Sequence, residues 1–240
     1  MDFVTRPRWA VDTLAVPFEK LATGLSSTQT PSHAPIPTPA PTPKHTPTPC
    51  TDDFNILQVN VCGLQPRATE LAKMLTDNDV RIALIQETIL PRQNINIPGF
   101  TKYPCQCKNR CQGVMTLVRN DTQAKVTNLN TSSDVDIQKI TTWDKSRKKE
   151  LTIYNTYWPP GSKSDLPFQQ PSYTRTIIAG DLNAHSPSWG YSTLDGKGRQ
   201  IESLCNGSNM VLMQNTQSEV TFLHRRTGTT SRPDLTMISE

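Results

Sequence analysis

Long apolar runs are missing from this 240-residue chain. No stretch approaches the roughly 18 continuous apolar residues that cross a bilayer, so no membrane span is expected. Arg6 and Arg8 near the N-terminus are not followed by an apolar segment, which excludes a secretory signal, and Asp2, Asp12 and Glu19 argue against a transit peptide. Without an export signal, the six cysteines are expected as reduced thiols in an intracellular protein. Cys105, Cys107 and Cys111 lack the paired Cys-x₂-Cys spacing and the partner histidines of a structural zinc site. No internal repeat at solenoid spacing occurs. Apolar residues make up only 35% and aromatics 6%, while prolines number 20. Neither sign of charge dominates: the net charge is +4, compatible with a polyanionic partner but not diagnostic of one.

What is present divides the chain in two. Residues 1–52 are rich in Pro, Thr, Ser and Ala, with proline at almost every second position from Pro31 to Pro49. Such a segment cannot supply the donors of a sheet, and it reads as a disordered spacer. The folded domain is expected over 53–240. Phe54 to Val61 reads as a strand, ended by Gly63 and Pro66. Ala68, Leu71, Ala72 and Leu75 fall on one helix face. Val80 to Glu87 is a second strand, completing an α/β unit. Val114 to Val118 reads as a third, and Asn94 to Tyr103 as a loop. Val135 to Trp143 and Leu151 to Tyr157 suggest a hairpin around a basic turn at Asp144 to Lys149, which makes the sheet mixed. That turn reads equally as a solvated tip or as a contact to DNA phosphates. A helix over 198–209 and short strands at 210–213, 219–223 and 234–238 complete the chain.

The stretch Thr176 to His185 is the centre of this arrangement. An apolar strand runs into Gly180 and is followed by Asp181 and Asn183. At a strand end, residues two apart share a face, so both side chains are expected to face one pocket. Alone, the pair reads equally as an Asx turn satisfying its own backbone. Asn60, Glu87, Tyr157 and Asp234, however, also lie at or near strand ends. Taken singly, Asn60 reads as a strand cap, Glu87 as a surface acid and Tyr157 as packing. Together they form the oxygen-rich cluster that metal-assisted phosphodiester hydrolysis needs.

Six motifs in order then carry a resemblance. Gln58-x-Asn60-x-x-Gly63-Leu64, Gln86-Glu87-Thr88, Gly113-Val114-x-x-Leu117-Val118-Arg119, Tyr157-x-Pro159-Pro160, Gly180-Asp181-Leu182-Asn183-Ala184-His185 and Pro233-Asp234-Leu235-Thr236 resemble those of the endonuclease/exonuclease/phosphatase family. Their wording is similar to the apurinic-like endonuclease domain of jockey-type non-LTR retrotransposons. The resemblance implies an α/β (α+β) sandwich, a four-layer, two-sheet DNase I-like fold with mixed sheets. It implies Glu87 as main Mg²⁺ ligand (Mn²⁺ being the substitute) and Asn60 as support for metal and catalytic Asp. Asp181 would activate the water. Asn183 would orient the water and the phosphate, and Tyr157 would contact the phosphate. Asp234 would orient a catalytic His, and His185 would stand at the substrate edge or in packing.

The family's Ser-Asp-His motif does not follow Asp234 in this sequence, and neither His185 nor His224 replaces its histidine. The resemblance therefore predicts a C-terminally truncated domain, with its last strand missing and its activity impaired. The loop from Gly161 to Thr176 is also short for the family, where a helix often sits. The implied function is a DNA endonuclease whose nick primes reverse transcription in the nucleus, partnered by DNA and, through a downstream polymerase, by retrotransposon RNA. The alternatives are a catalytically inactive relic and a phosphatase acting on another phosphoester.

Overall fold

A computed structural model describes residues 16–17, 55–89, 95–105, 113–129, 134–144, 148–168, 173–214, 216–217, 220–223 and 228–239. Most of the Pro-rich segment, Cys107, Cys111, the centre of the basic turn and His224 to Arg226 lie outside the described residues.

The strands are β1 (Val16–Pro17), β2 (Asn55–Asn60), β3 (Val80–Gln86), β4 (Phe100–Cys105), β5 (Val114–Arg119), β6 (Ala124–Leu129), β7 (Asp136–Asp144), β8 (Lys149–Tyr157), β9 (Thr176–Asp181), β10 (Met210–Leu212), β11 (Phe222–Leu223), β12 (Thr230–Ser231) and β13 (Asp234–Ser239). The helices are α1 (Ala68–Asp77) and α2 (Gly196–Gly207). One sheet has the order β1-β2-β3-β5-β4 and the other β10-β13-β9-β8-β7-β6; β11 and β12 pair apart. Both large sheets are mixed, since β2 runs parallel to β3 and β8 parallel to β9, while the other pairings are antiparallel.

The period of two along each strand sorts side chains into layers. Leu57, Val59, Ala83 and Ile85 pack outward with Leu71 and Leu75 of α1. Ile82 and Leu84 point the other way, onto Ile140, Leu151, Ile153, Ile177 and Ala179 of the second sheet. The outer face of that sheet buries Ile137, Ile178, Leu235 and Met237 with Ile201 and Leu204 of α2. The order is helix, sheet, sheet, helix: the four-layer, two-sheet DNase I-like sandwich expected from the motifs. Among the described residues, no helix is long and apolar enough to cross a membrane.

The hairpin of β7 and β8 forms as expected, with Asp136 beside Tyr157 and Asp144 beside Lys149. This register puts the basic turn and Tyr157 at opposite ends of β8, roughly 26 Å apart at the usual rise per residue. Four strands differ from expectation: β1 lies within the segment read as a disordered spacer and pairs with β2, and β12 has no counterpart among the expected strands. Phe100–Cys105 was expected as part of a loop and is an edge strand; Ala124–Leu129 was not foreseen and forms the opposite edge of the other sheet. The short loop after Gly161 forms no helix over its described residues. Instead it buries Leu166, Phe168 and Tyr173 in the α2-side core.

Candidate active site

Going from one end of the sandwich to the other, the layer between the sheets changes chemistry. Beyond the isoleucines and leucines comes a band of buried amides and hydroxyls. Gln58 Nε2 donates to Gln86 Oε1 (3.3 Å), Gln86 Nε2 to Asn155 Oδ1 (2.7 Å) and Asn155 Nδ2 to Thr116 Oγ1 (3.4 Å). Thr116 Oγ1 donates to Gln138 Oε1 (2.8 Å), and Gln138 Nε2 to Asn128 Oδ1 (2.8 Å). From Gln86 to Gln138 the chain passes back and forth between the sheets, and its last link runs within the second sheet. Gln86, Thr116, Gln138 and Asn155 are fully buried, a state polar groups tolerate only when bonded. The sequence signal for this ladder is polar residues at the inward positions of otherwise apolar strands.

Past the ladder stand the predicted groups, and the structure brings most of them together across the gap. Asn60, ending β2, donates from Nδ2 to Asp181 Oδ2, ending β9 (2.7 Å). Tyr157, ending β8, donates from its hydroxyl to Glu87 Oε1 (3.1 Å), one residue past β3. Gln58 Nε2 donates to Asp234 Oδ1 (2.6 Å), at the start of β13. Each bond joins one sheet to the other. The strand exits on the first sheet are themselves tied: Gly63 N donates to Glu87 O (2.8 Å) and Leu64 N to Thr88 O (2.9 Å), so Asn60 and Glu87 leave side by side.

Asn183 reaches the site by a route other than strand alternation. Strand β9 ends at Asp181, and Asn183 has φ +45°; Glu87 likewise has φ +50°. Non-glycine residues rarely take this left-handed backbone, and such strain collects at functional positions. The turn aims Asn183 Nδ2 at the carbonyl of Trp158, next to Tyr157 (3.2 Å). Gly180 makes the close pairing of β8 and β9 possible: a Cβ there would sit 1.8 Å from Thr156 O.

Charge is concentrated here at a cost. Asp181 and Asp234 are opposite each other in the β9–β13 register, and both are buried. Burial, then the Asp234 charge, then Glu87 raise the Asp181 carboxyl well above the usual carboxylate range; the Asn60 amide opposes them. Burial pushes Asp234 up to about 6. Burial first, then the charges of Glu87 and Asp181, hold the Tyr157 phenol far above its ordinary value, so it remains a neutral donor. Asp181 Oδ1 is buried without a hydrogen-bond partner. His185 is not in this cluster. Its ring stacks on Tyr191 at 4.2 Å, its Nδ1 is 3.8 Å from Asp195 Oδ2, and it stands exposed at the rim.

Among the described residues, no three acidic, histidine or cysteine side chains are close enough to form a metal cage. The donor set still suits Mg²⁺. Glu87, Asn60 and Asp181 offer only oxygens as acceptors, one of them orphaned, and Mg²⁺ takes few protein ligands while keeping its waters.

Comparison with known proteins supports the resemblance read from the motifs. Residues 151–240 match the family described as endonuclease-reverse transcriptase. The endonuclease domain of TRAS1, a telomere-specific non-LTR retrotransposon, is similar at TM-score 0.57 and 23% identity, over 78% of this chain and 85% of that one. The AP endonuclease LMAP from Leishmania major superposes at TM-score 0.59 with 15% identity, over 78% and 79%. A 3′-5′ exonuclease from Neisseria meningitidis gives 0.55 and 16%, over 77% and 86%. No protein of curated function matches by sequence. The chain thus resembles the endonuclease/exonuclease/phosphatase family and shares the DNase I-like fold of these nucleases.

Proposed function

We propose that this chain is a metal-dependent phosphodiesterase that nicks one strand of DNA and leaves a 3′-hydroxyl. The observation that carries the reading is the orphaned Asp181 Oδ1, fixed by Asn60 through its other oxygen and flanked by Glu87 and Tyr157. An unsatisfied carboxylate oxygen is an acceptor for the proton of an attacking water. Its raised affinity for protons brings it toward the range where a general base works best.

In the reaction, Asp181 takes a proton from water as the water oxygen bonds to phosphorus. The bond from phosphorus to the 3′ oxygen breaks, and that oxygen takes a proton from solvent water and leaves as a hydroxyl, while Asp181 returns its proton to solvent. Asn183 holds the attacked phosphate and the water in line. Tyr157, a neutral donor, fixes the Glu87 carboxylate. Asp234 lies against Asp181 and, through Gln58, is anchored to the first sheet. Glu87 and Asn60 would hold Mg²⁺, or Mn²⁺ in its place, which supplies charge neutralisation at the phosphoryl oxygens.

DNA as substrate is supported by the nuclease fold and by the retrotransposon-like wording of the motifs around Tyr157 and Asp181. In this reading the nick is made in the nucleus and primes reverse transcription by a polymerase acting on retrotransposon RNA. Supercoiled plasmid should be nicked with Mg²⁺ and not with EDTA. Asp181→Ala and Glu87→Ala should each lower the rate on the order of 10²–10⁴-fold. An intact plasmid together with release of phosphate from a soluble monoester would move the reading to a phosphatase. A folded protein inert on both would overturn it.

A further inference from the structure

Lys197 is a buried cation that the reading above leaves unused. It is the second residue of α2, where a positive charge opposes the helix dipole. Its side chain is buried, and none of the carboxylates among the described residues forms an ion pair with it. Instead Nζ donates to two successive backbone carbonyls, Trp158 O (3.2 Å) and Pro159 O (2.7 Å), and lies 4.8 Å from the centre of the Trp158 ring. Trp158 O is the same atom that accepts from Asn183 Nδ2. The adjoining peptide is also committed, since Trp158 N donates to Asp181 O (2.9 Å).

We propose that Lys197 is a positioning residue: by holding the Trp158 and Pro159 carbonyls, its ammonium fixes the acceptor that orients the Asn183 amide. The proposal rests on the nuclease reading for its catalytic consequence, but the orientation itself does not. Burial lowers the Lys197 pKa, while Asp195, Asp181 and Asp134 raise it through their charges; these longer-range carboxylates keep an ammonium affordable in this place. The helix start is fixed independently, by Asp195 Oδ1 accepting from Gly198 N (2.7 Å) and His185 N (3.2 Å). Lys197 is therefore not needed to begin α2. Its exchange acts on the 158–159 turn.

Lys197→Met keeps an apolar stem over the Trp158 ring and removes the donors. Its expected effect is a kcat lower by roughly 10- to 100-fold, the cost of a misplaced group, with KM within about twofold. In the double variant with Asn183→Ala, the added loss should vanish, because both changes remove one function. The side-chain amide signals of Asn183 in a ¹H–¹⁵N spectrum, assigned by their loss in Asn183→Ala, should shift or broaden in Lys197→Met while those of Asn155 stay. If Lys197→Met does not fold, Lys197→Gln is measured in the same way. A raised KM at unchanged kcat would make Lys197 a phosphate ligand and overturn the proposal, and so would additive losses. Should the wild type fail to nick, the nuclease reading falls, and the Asn183 signals alone decide for or against Lys197.

Discussion

The two halves of the inter-sheet layer are built on the same strands, with the same period, and hold together in opposite ways. The apolar half, around Ile82, Leu84, Ile153 and Ile177, is stabilised by burial, which has no direction and is proportional to area. The polar half, from Gln58 to Asn128, is stabilised only as far as each donor finds its acceptor. The apolar half keeps the sheets together. The polar half fixes how far apart they stand and in what register, and that decides whether Asn60 meets Asp181 and Tyr157 meets Glu87.

Substitutions should separate the halves. The largest stability effect is expected in the apolar half: Leu84→Ala, at a fully buried position, should cost about 2–5 kcal/mol in urea titration. Nicking by the molecules that remain folded should persist. Gln86→Leu changes little volume but strips Asn155 Oδ1 of its donor; about 1–3 kcal/mol is expected, with a loss of nicking larger than that of Leu84→Ala. Equal activity in the two folded variants would erase the distinction.

A third substitution tests the charge that borders the ladder. Asp234 is held up at about 6, above the ordinary value of about 3.9 for the unfolded chain. The folded state therefore binds this proton more tightly. The stability this contributes is fully present below about pH 4 and is lost as pH rises through about 6. In chelator, thermal melts of Asp234→Asn should gain on the wild type between pH 4 and 6 by about 2 kcal/mol, then run parallel above. A constant difference across that range would contradict the assignment. Ile177→Val, the smallest change, should cost about 0.5–1.5 kcal/mol and leave pH dependence and nicking as they were.

The sequence made the apolar strands legible because buried strands read as continuous apolar runs, as in Ile82 to Ile85 and Ile177 to Ala179. Glu87 and Asp181 were legible as acids at the ends of such runs. The edge strands β4 and β6 were not, because their exposed and half-buried residues mix polar and apolar types, and Pro104 argues locally against a strand. The amide ladder left only a faint trace, polar residues within apolar strands, because Gln58, Gln86 and Asn155 look like solvent-facing positions until the second sheet covers them. Strand alternation is the expected route for Asn183 to share a face with Asp181; in the structure a left-handed backbone beyond the end of β9 places it instead. Lys197 gave no signal, since a lysine near a helix start is ordinary unless its burial is known.

The ladder has a further consequence, for descent. Gln86, Asn155 and Gln138 each accept through the oxygen on one side and donate through the nitrogen on the other, so the orientation of one dictates the orientation of the next. A lineage can replace Ile177 by Val and later revert, one step at a time. It cannot replace Gln86 alone without orphaning a neighbour. These residues are inherited as one trait: their substitutions should occur in concert and their histories be correlated, while the isoleucines a few ångströms away drift independently.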